Sequence, residues 1–319
     1  MRTGAATGHR GYFHEAGFYG SDDEFLALVV PFLEGGLAAG EPTLVAFGEP
    51  NEQLVREAMG EPDGLSYVSG STQYARPAGA IKKYREMLAG HVADGARQIR
   101  ATGDVPHPGV GAPWDWWARY EATVNHAYDD FPLWGLCPYD TRITPESVLD
   151  DVARTHPNLA SPDGAHRVNK RFEDPIGFLT SLRPAGPDTL ERTPPFAELH
   201  DFTPAVARNA VIEAAAETEI PAGDVEDMLI AVSEAVANAY RHGLPPVRLR
   251  LWTARDRLVA TVTDHGTGPA DPFAGLVPVR GSTSGGLGLW IVHQLCSRVT
   301  MTTGEDGFTL RMIVGTPSL

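Results

Sequence analysis

The sequence predicts two domains of different class: an α/β domain with a mostly parallel sheet and helices on both faces, then an α+β sandwich. Three observations carry this expectation. At 319 residues, with 42% hydrophobic and 8% aromatic content, the chain is long for one core and sufficient for two. Its first part alternates apolar runs with helical patterns, whereas its last part groups helices beside hairpins. Between them lies RPAGPDTLERTPP at 183–195, dense in proline and poor in periodic apolar residues, which reads as a linker. The expected organisation is a domain over 1–182, a linker over 183–195 and a second domain over 196–319.

In the first domain, FLALVVPFLEGGLAAG (25–40) predicts a helix and EPTLVAFGEP (41–50) a buried strand ending in a turn. A helix at 53–60, a strand at 96–104, an amphipathic helix at 114–128, a strand at 131–140 and a helix at 145–156 follow. In the second, Thr203 and Pro204 form an N-cap and N1 pair ahead of AVARNAVIEAAAE. A helix over about 222–242 should stop at Gly243, read as a C′ glycine. Strands 247–253 and 258–264 make a hairpin, a Gly-rich segment runs into the helix LGLWIVHQLC, and a hairpin around GEDG closes the chain.

A formal charge of −15 argues against direct nucleic-acid binding, which needs a Lys/Arg surface to displace counterions. MRTGAATGHRG lacks the apolar core of a signal peptide, and no apolar run approaches the roughly 20 residues that span a bilayer. A cytoplasmic protein without membrane association is expected. Cys137 and Cys296 are too isolated for a disulfide framework or a CxxC site and read as buried thiols.

The chemistry concentrates on the 222–242 helix. Val225, Met228, Leu229, Val232, Val236 and Ala239 recur at three and four residues as a core stripe, and Glu234, Asn238 and His242 share a face that the stripe leaves free. From this helix alone, a solvated face with a histidine at the helix end explains the trio as well. The next strand ends in DHGTG, which puts Asp264 after an apolar row and makes Gly266 and Gly268 a tight turn. GSTSGGLGLWIV (281–292) is a Gly/Ser/Thr loop opening a helix, whose free amides favour phosphate.

Together SEAVANAYRHG, DHGTG and GSTSGGLGLWIV resemble the N, G1 and G2 boxes of the GHKL ATPases with the Bergerat sandwich fold, and within them the anti-sigma-factor serine kinases. The resemblance covers about 196–319. It implies that Asn238 holds Mg²⁺ against the phosphates of ATP, that Asp264 accepts from the adenine amino group, and that Gly266 and Gly268 shape the adenine pocket. It also implies that Gly286 and Gly288 let the loop and helix wrap the phosphates, with Thr283 among the ATP-binding residues, and that Glu234 is the general base. Arg280 either touches phosphate or is solvated, and His242 reads as a helix-end residue. A sensor histidine kinase is disfavoured because 183–203 leaves no room for a two-helix phosphoacceptor hairpin.

HEAGFYGSDDEFLALVVPFLEGGLAAGEPTLVAFGEP, WARYEATVN, LCPYDTR and RTHP resemble the MEDS sensory domain over about 9–182, which implies a RecA-like core without nucleotide chemistry. No phosphate loop follows any predicted strand. His14, Tyr19, Glu121, Asn125, Cys137, Tyr139, Asp140 and His156 are the candidates for contact with a small organic ligand, because α/β sheets place ligands at strand ends. Taken one at a time, each of them is better explained by an ordinary core role. A metal held by His14, Cys137 and His156 is also compatible with the residue types, although their spacing is too scattered to argue for it. The expected protein is a cytoplasmic regulator in which a sensory domain controls a serine/threonine-kinase-like domain acting on a STAS-like anti-anti-sigma protein. The alternative is an ATP-dependent module that captures a sigma factor; a homodimer is expected in either case.

Overall fold

A computed structural model of the chain describes residues 2–182, 186–277 and 287–315. It divides into two compact units, Met1–Leu182 and Arg183–Leu319.

The strands of the first unit are β1 (Phe13–Tyr19), β2 (Thr43–Ala46), β3 (Leu65–Tyr67), β4 (Ile99–Gly103), β5 (Leu133–Asp140), β6 (Asn158–Ala160) and β7 (His166–Val168). They form one sheet in the order β3-β2-β4-β5-β1-β6-β7, parallel except for β7 against β6. Its helices are α1 (Asp22–Ala38), α2 (Glu49–Met59), α3 (Gly70–Gln73), α4 (Pro77–Ala93), α5 (Trp114–Ala127), α6 (Glu146–Thr155) and α7 (Pro175–Ser181). Alternation along the central pair sorts the two faces. Trp134 and Leu136 of β5 meet Phe25, Val29 and Phe32 of α1, whereas His14 of β1 and Cys137 and Tyr139 of β5 point to α5. The helix α1 starts where Ser21 Oγ accepts from Glu24 N at 3.2 Å, with three acidic residues in its first turn.

The sequence reading does not include β1, α4 or the short elements β3, α3, β6, β7 and α7. The central strand β1 carries His14 and Glu15 in mid-strand, both fully buried, so it lacks an apolar alternation. The helix α4 faces the core with Ala78, Ala80, Ile81, Tyr84 and Leu88, where small alanines blur the amphipathic signal.

A buried ion pair ties the inner strand β4 to α1 and to the first residues of the chain. Arg100 on β4 donates to Glu41 Oε2 at 2.7 Å, Phe32 O at 2.7 Å and Thr3 Oγ1 at 2.9 Å. Thr3 and Gln98 also donate to the Glu41 carboxylate, and the guanidinium lies 4.4 Å from the Trp134 ring centre. Glu41→Ala should cost about 3–5 kcal/mol, because it strands a buried guanidinium. Denaturant unfolding of the full chain followed by tryptophan fluorescence checks this, and a loss below about 1 kcal/mol would show that the pair is not buried as described.

In the second unit the strands β8 (Ala197–His200), β9 (Arg248–Ala254), β10 (Arg257–Asp264), β11 (Arg298–Gly304) and β12 (Gly307–Gly315) form an antiparallel sheet in the order β11-β12-β10-β9-β8. The helices α8 (Pro204–Ala215), α9 (Ala222–His242) and α10 (Leu287–Leu295) pack beside one another, with α9 against β10 and β12. The expected N-cap is present, with Thr203 Oγ1 accepting from Val206 N at 3.3 Å. Residues 188–193, within the stretch that reads as a linker, pack on the sheet instead of hanging free. Asp188 caps the 3-10 turn Thr189–Arg192, Leu190 covers Trp252, Val259 and Ile313, and Arg257 and Arg311 pair with Asp188 and Glu191. Among the described residues no helix is long and apolar enough to cross a membrane.

Candidate functional site

The helix α9 buries Met228, Ala231, Val232, Ala235, Val236 and Ala239. Val225 and Leu229, expected in this stripe, are only half-buried; Ala231 and Ala235 take inner positions because their small side chains admit close packing. Glu234 and Asn238 are half-buried and His242 is exposed. Asn238 and His242 line a cleft of about 360 Å³ together with Asp264, Gly268, Gly288 and Phe308. Its floor is apolar, from Ala235, Ala239, Val262 and Leu310.

The buried Asp264 closes β10, and its Oδ1 accepts from Gly266 N at 2.7 Å and Leu244 N at 3.2 Å. The two glycines of DHGTG are needed for different reasons. A Cβ on Gly266 would sit 2.6 Å from Asp264 Oδ1, whereas Gly268 has φ +75° and its Cβ would strike the Phe308 ring at 2.4 Å. Gly288, in the first turn of α10, brings the helix against α9: a Cβ there would lie 2.8 Å from Glu234 Oε2 and 2.9 Å from Asn238 Nδ2. Glu234 thus stands beside α10 without being among the residues that line the cleft. Arg280, Thr283 and Gly286 lie outside the described residues.

Two residues of this region were missed or misread. Phe308 carried no signal beyond its place in a terminal hairpin. Gly243 was read as a left-handed helix terminator, but its backbone is extended, with φ −84° and ψ −172°. Its glycine is required by space, since a Cβ would lie 2.3 Å from Asp264 Cγ. Gly243→Ala should therefore displace the carboxylate and weaken the ATP that the sequence resemblance implies for this cleft by at least about tenfold, read by titration calorimetry on the full chain. Unchanged affinity would mean that the position of Asp264 does not matter to the ligand.

In the first unit the eight candidates separate into two places. Tyr19 and Asp140 end β1 and β5 and line an open cleft of about 750 Å³ with Asn51, Asp104, His107 and Arg142. Asn51 Nδ2 donates to Tyr19 Oη at 3.3 Å and to Asp104 Oδ1 at 3.0 Å, and Arg142 grips Asp140 with a 2.7 Å contact. Burial pushes the Asp104 carboxyl up to about 6, so the cleft changes charge near that pH. Asp104 was overlooked although it follows strand β4, where the strand-end argument applies equally.

The other six meet in a buried knot between the sheet and α5. Tyr139 Oη donates to Glu121 Oε1 at 2.6 Å, Asn125 Oδ1 lies 3.1 Å from His14 Nδ1, and Cys137 Sγ lies 3.4 Å from His14 Nε2. His156, at the end of α6, lies against His14 with ring centres 4.0 Å apart and the ring planes tilted by 40°. Burial drives Glu121 up to about 7 and His156 down to about 4; His14 falls well below the usual imidazole range through burial and its neighbour His156.

Comparison with known proteins assigns both units. Residues 13–157 match the family model of MEDS, the methanogen/methylotroph DcmR sensory domain, and residues 199–314 that of the histidine kinase-like ATPase domain. The chain is 30% identical over 142 residues to the serine-protein kinase RsbW of Halalkalibacterium halodurans, across 41% of this chain and 85% of that protein. The solved RsbU and RsbW domains of a Mycobacterium tuberculosis protein align at 22% identity and a TM-score of 0.28, over 39% of this chain and 34% of that one. The histidine kinase domain of the E. coli osmosensor EnvZ aligns at 25% identity and a TM-score of 0.24, over 40% and 92%.

Proposed function

Because the chain belongs to the RsbW-like serine kinase branch of the histidine kinase-like ATPases and carries a MEDS domain ahead of it, we propose that its second unit is a GHKL kinase. It transfers the γ-phosphoryl group of MgATP to a serine or threonine of a STAS-like anti-anti-sigma partner, in the cytoplasm and as a homodimer. The first unit, RecA-like without nucleotide chemistry, regulates it by binding a small organic ligand in the cleft at Tyr19 and Asp140.

The observation that carries this reading is the meeting of Glu234 and Asn238 at Gly288, in the unit whose cleft also holds Asp264. The residues fit MgATP. The close approach of α10 to α9 is one that any side chain on Gly288 would block, and the Asn238 amide offers a neutral oxygen suited to a hard cation. Bound MgATP supplies the transferable phosphoryl group and the cation that spreads its charge. With Asp264 Oδ1 held by two backbone amides, Oδ2 is left to accept from the adenine amino group. Glu234 takes the proton of the attacking hydroxyl as the bond from that oxygen to phosphorus forms; the bond from phosphorus to the ADP oxygen breaks, and ADP leaves.

A second reading is favoured by the position of Glu234 outside the cleft lining: ATP would only stabilise a surface that captures a sigma factor or other partner. A histidine kinase is not supported, since the described residues from 186 to 203 form a 3-10 turn and a strand and no helical hairpin. Intact-mass measurement of the partner after incubation with the full chain and MgATP separates the first two. The kinase reading expects one added phosphate per partner, whereas an ATP-dependent complex with an unmodified partner would leave capture as the function.

A further inference from the structure

We propose that His14, Glu121, Cys137 and His156 form a binding site for a zinc-class divalent metal ion inside the first unit. The inference is independent of the nucleotide reading. The four donor atoms all lie within 4.8 Å of one another; both imidazoles and the carboxylate are fully buried, and Cys137, read from the sequence as a buried thiol, is half-buried.

The hydrogen bonds around the knot fix which atoms are free. His156 Nδ1 lies 2.8 Å from Val152 O; a carbonyl only accepts, so the proton is on Nδ1 and the Nε2 lone pair is free. Asn125 Nδ2 donates to Glu121 O at 2.9 Å and Thr155 O at 2.8 Å, which orients its Oδ1 to accept from His14 Nδ1. His14 therefore also presents an Nε2 lone pair. Both nitrogens approach Glu121 Oε2, at 3.6 Å and 3.5 Å. Those separations are long for an O–H···N bond, and Glu121 Oε2 and His156 Nε2 have no hydrogen-bond partner. Such a convergence of buried acceptors is costly without a cation.

The dimensions and donor types select the ion. Zinc bonds of about 2.0–2.3 Å place tetrahedral ligands about 3.3–3.8 Å apart. Three of the separations, 3.4, 3.5 and 3.6 Å, fall in that range, and since none in the set exceeds 4.8 Å the widest needs to close by only about 1 Å. Two imidazole nitrogens, one thiolate sulfur and one carboxylate oxygen suit a borderline ion of the zinc class and do not suit Ca²⁺ or Mg²⁺, which need oxygen shells. Three of the four ligands are also oriented from behind: His14 by Asn125, His156 by the Val152 carbonyl, and Glu121 by Tyr139. The ligands sit on the two central strands, α5 and the end of α6, so the geometry is held by rigid elements.

The test uses the full chain, freed of metal by chelator and reloaded with Zn²⁺ or Co²⁺. The expected result is one tightly held equivalent per chain by elemental analysis, and for Co²⁺ a thiolate-to-metal charge-transfer band with intense tetrahedral d–d bands. Cys137→Ser, which keeps side-chain volume, should abolish the charge-transfer band, and His156→Ala should weaken zinc by at least about 100-fold in competition with a chromogenic chelator. No stoichiometric uptake by the wild-type chain would overturn the proposal. So would a bound Co²⁺ without a thiolate band, a result that requires no variant to fold, or zinc affinity unchanged by both substitutions.

Discussion

Glu234→Gln should lower phosphoryl transfer by roughly 10²–10⁴ while leaving ATP affinity within a few-fold, the usual contribution of a positioned general base. The reasoning is geometric. Glu234 precedes Asn238 by one turn of α9, both reach Gly288 at the start of α10, and only Asn238 lines the cleft. Glutamine keeps the size and hydrogen-bonding reach of the side chain and loses only the capacity to take a proton. Asn238→Ala should differ, losing Mg²⁺-dependent ATP binding and transfer together. Single-turnover transfer to the partner, beside direct ATP titration of both variants, reads the contrast. Wild-type transfer rates in the Glu234→Gln protein would remove this residue from the chemistry.

Asp264→Asn should weaken ATP by about 30- to 1,000-fold, or about 2–4 kcal/mol, with little change in folding. The Asn oxygen can still accept from Gly266 N and Leu244 N, so the DHGTG turn is preserved. The other terminal atom becomes an NH₂ donor facing the adenine amino donor. The substitution therefore replaces a charge-assisted bond with two unmatched donors in a buried place. Nucleotide affinity equal to wild type would sink the assignment of this cleft to adenine.

The second unit was largely legible in the sequence because its signals are local. The helix α9 has a clear apolar stripe that leaves Glu234, Asn238 and His242 outside it, and its observed span Ala222–His242 matches the reading. Asp264 and its glycines lie within five consecutive residues, so their turn was visible as a word. Gly243 was identified as a required glycine for the wrong reason, since the crowding atom belongs to Asp264, 21 residues away and on another element. Composition showed that 183–195 forms no long element, but the docking of 188–193 depends on Leu190 and on arginines of β10 and β12 that no local pattern announces.

In the first unit the decisive contacts are non-local. His14 and Glu15 look like polar breaks in a strand until Glu121, His156, Trp134 and His166 are brought beside them. The candidates were selected as strand-end residues, yet only Tyr19 and Asp140 line the cleft at the strand ends. The rest owe their meeting to the parallel register of β1 on β5, which sets Ala16 opposite Cys137, and to α5 crossing that face.

Phosphoamino-acid analysis after incubation of the full chain, the partner and γ-labelled ATP tests the central claim most directly. The account predicts acid-stable phosphoserine or phosphothreonine on the partner, formed only with Mg²⁺ and lost in the Glu234→Gln chain. Acid-labile label retained on the chain itself, or ATP binding without transfer to any partner, would contradict it.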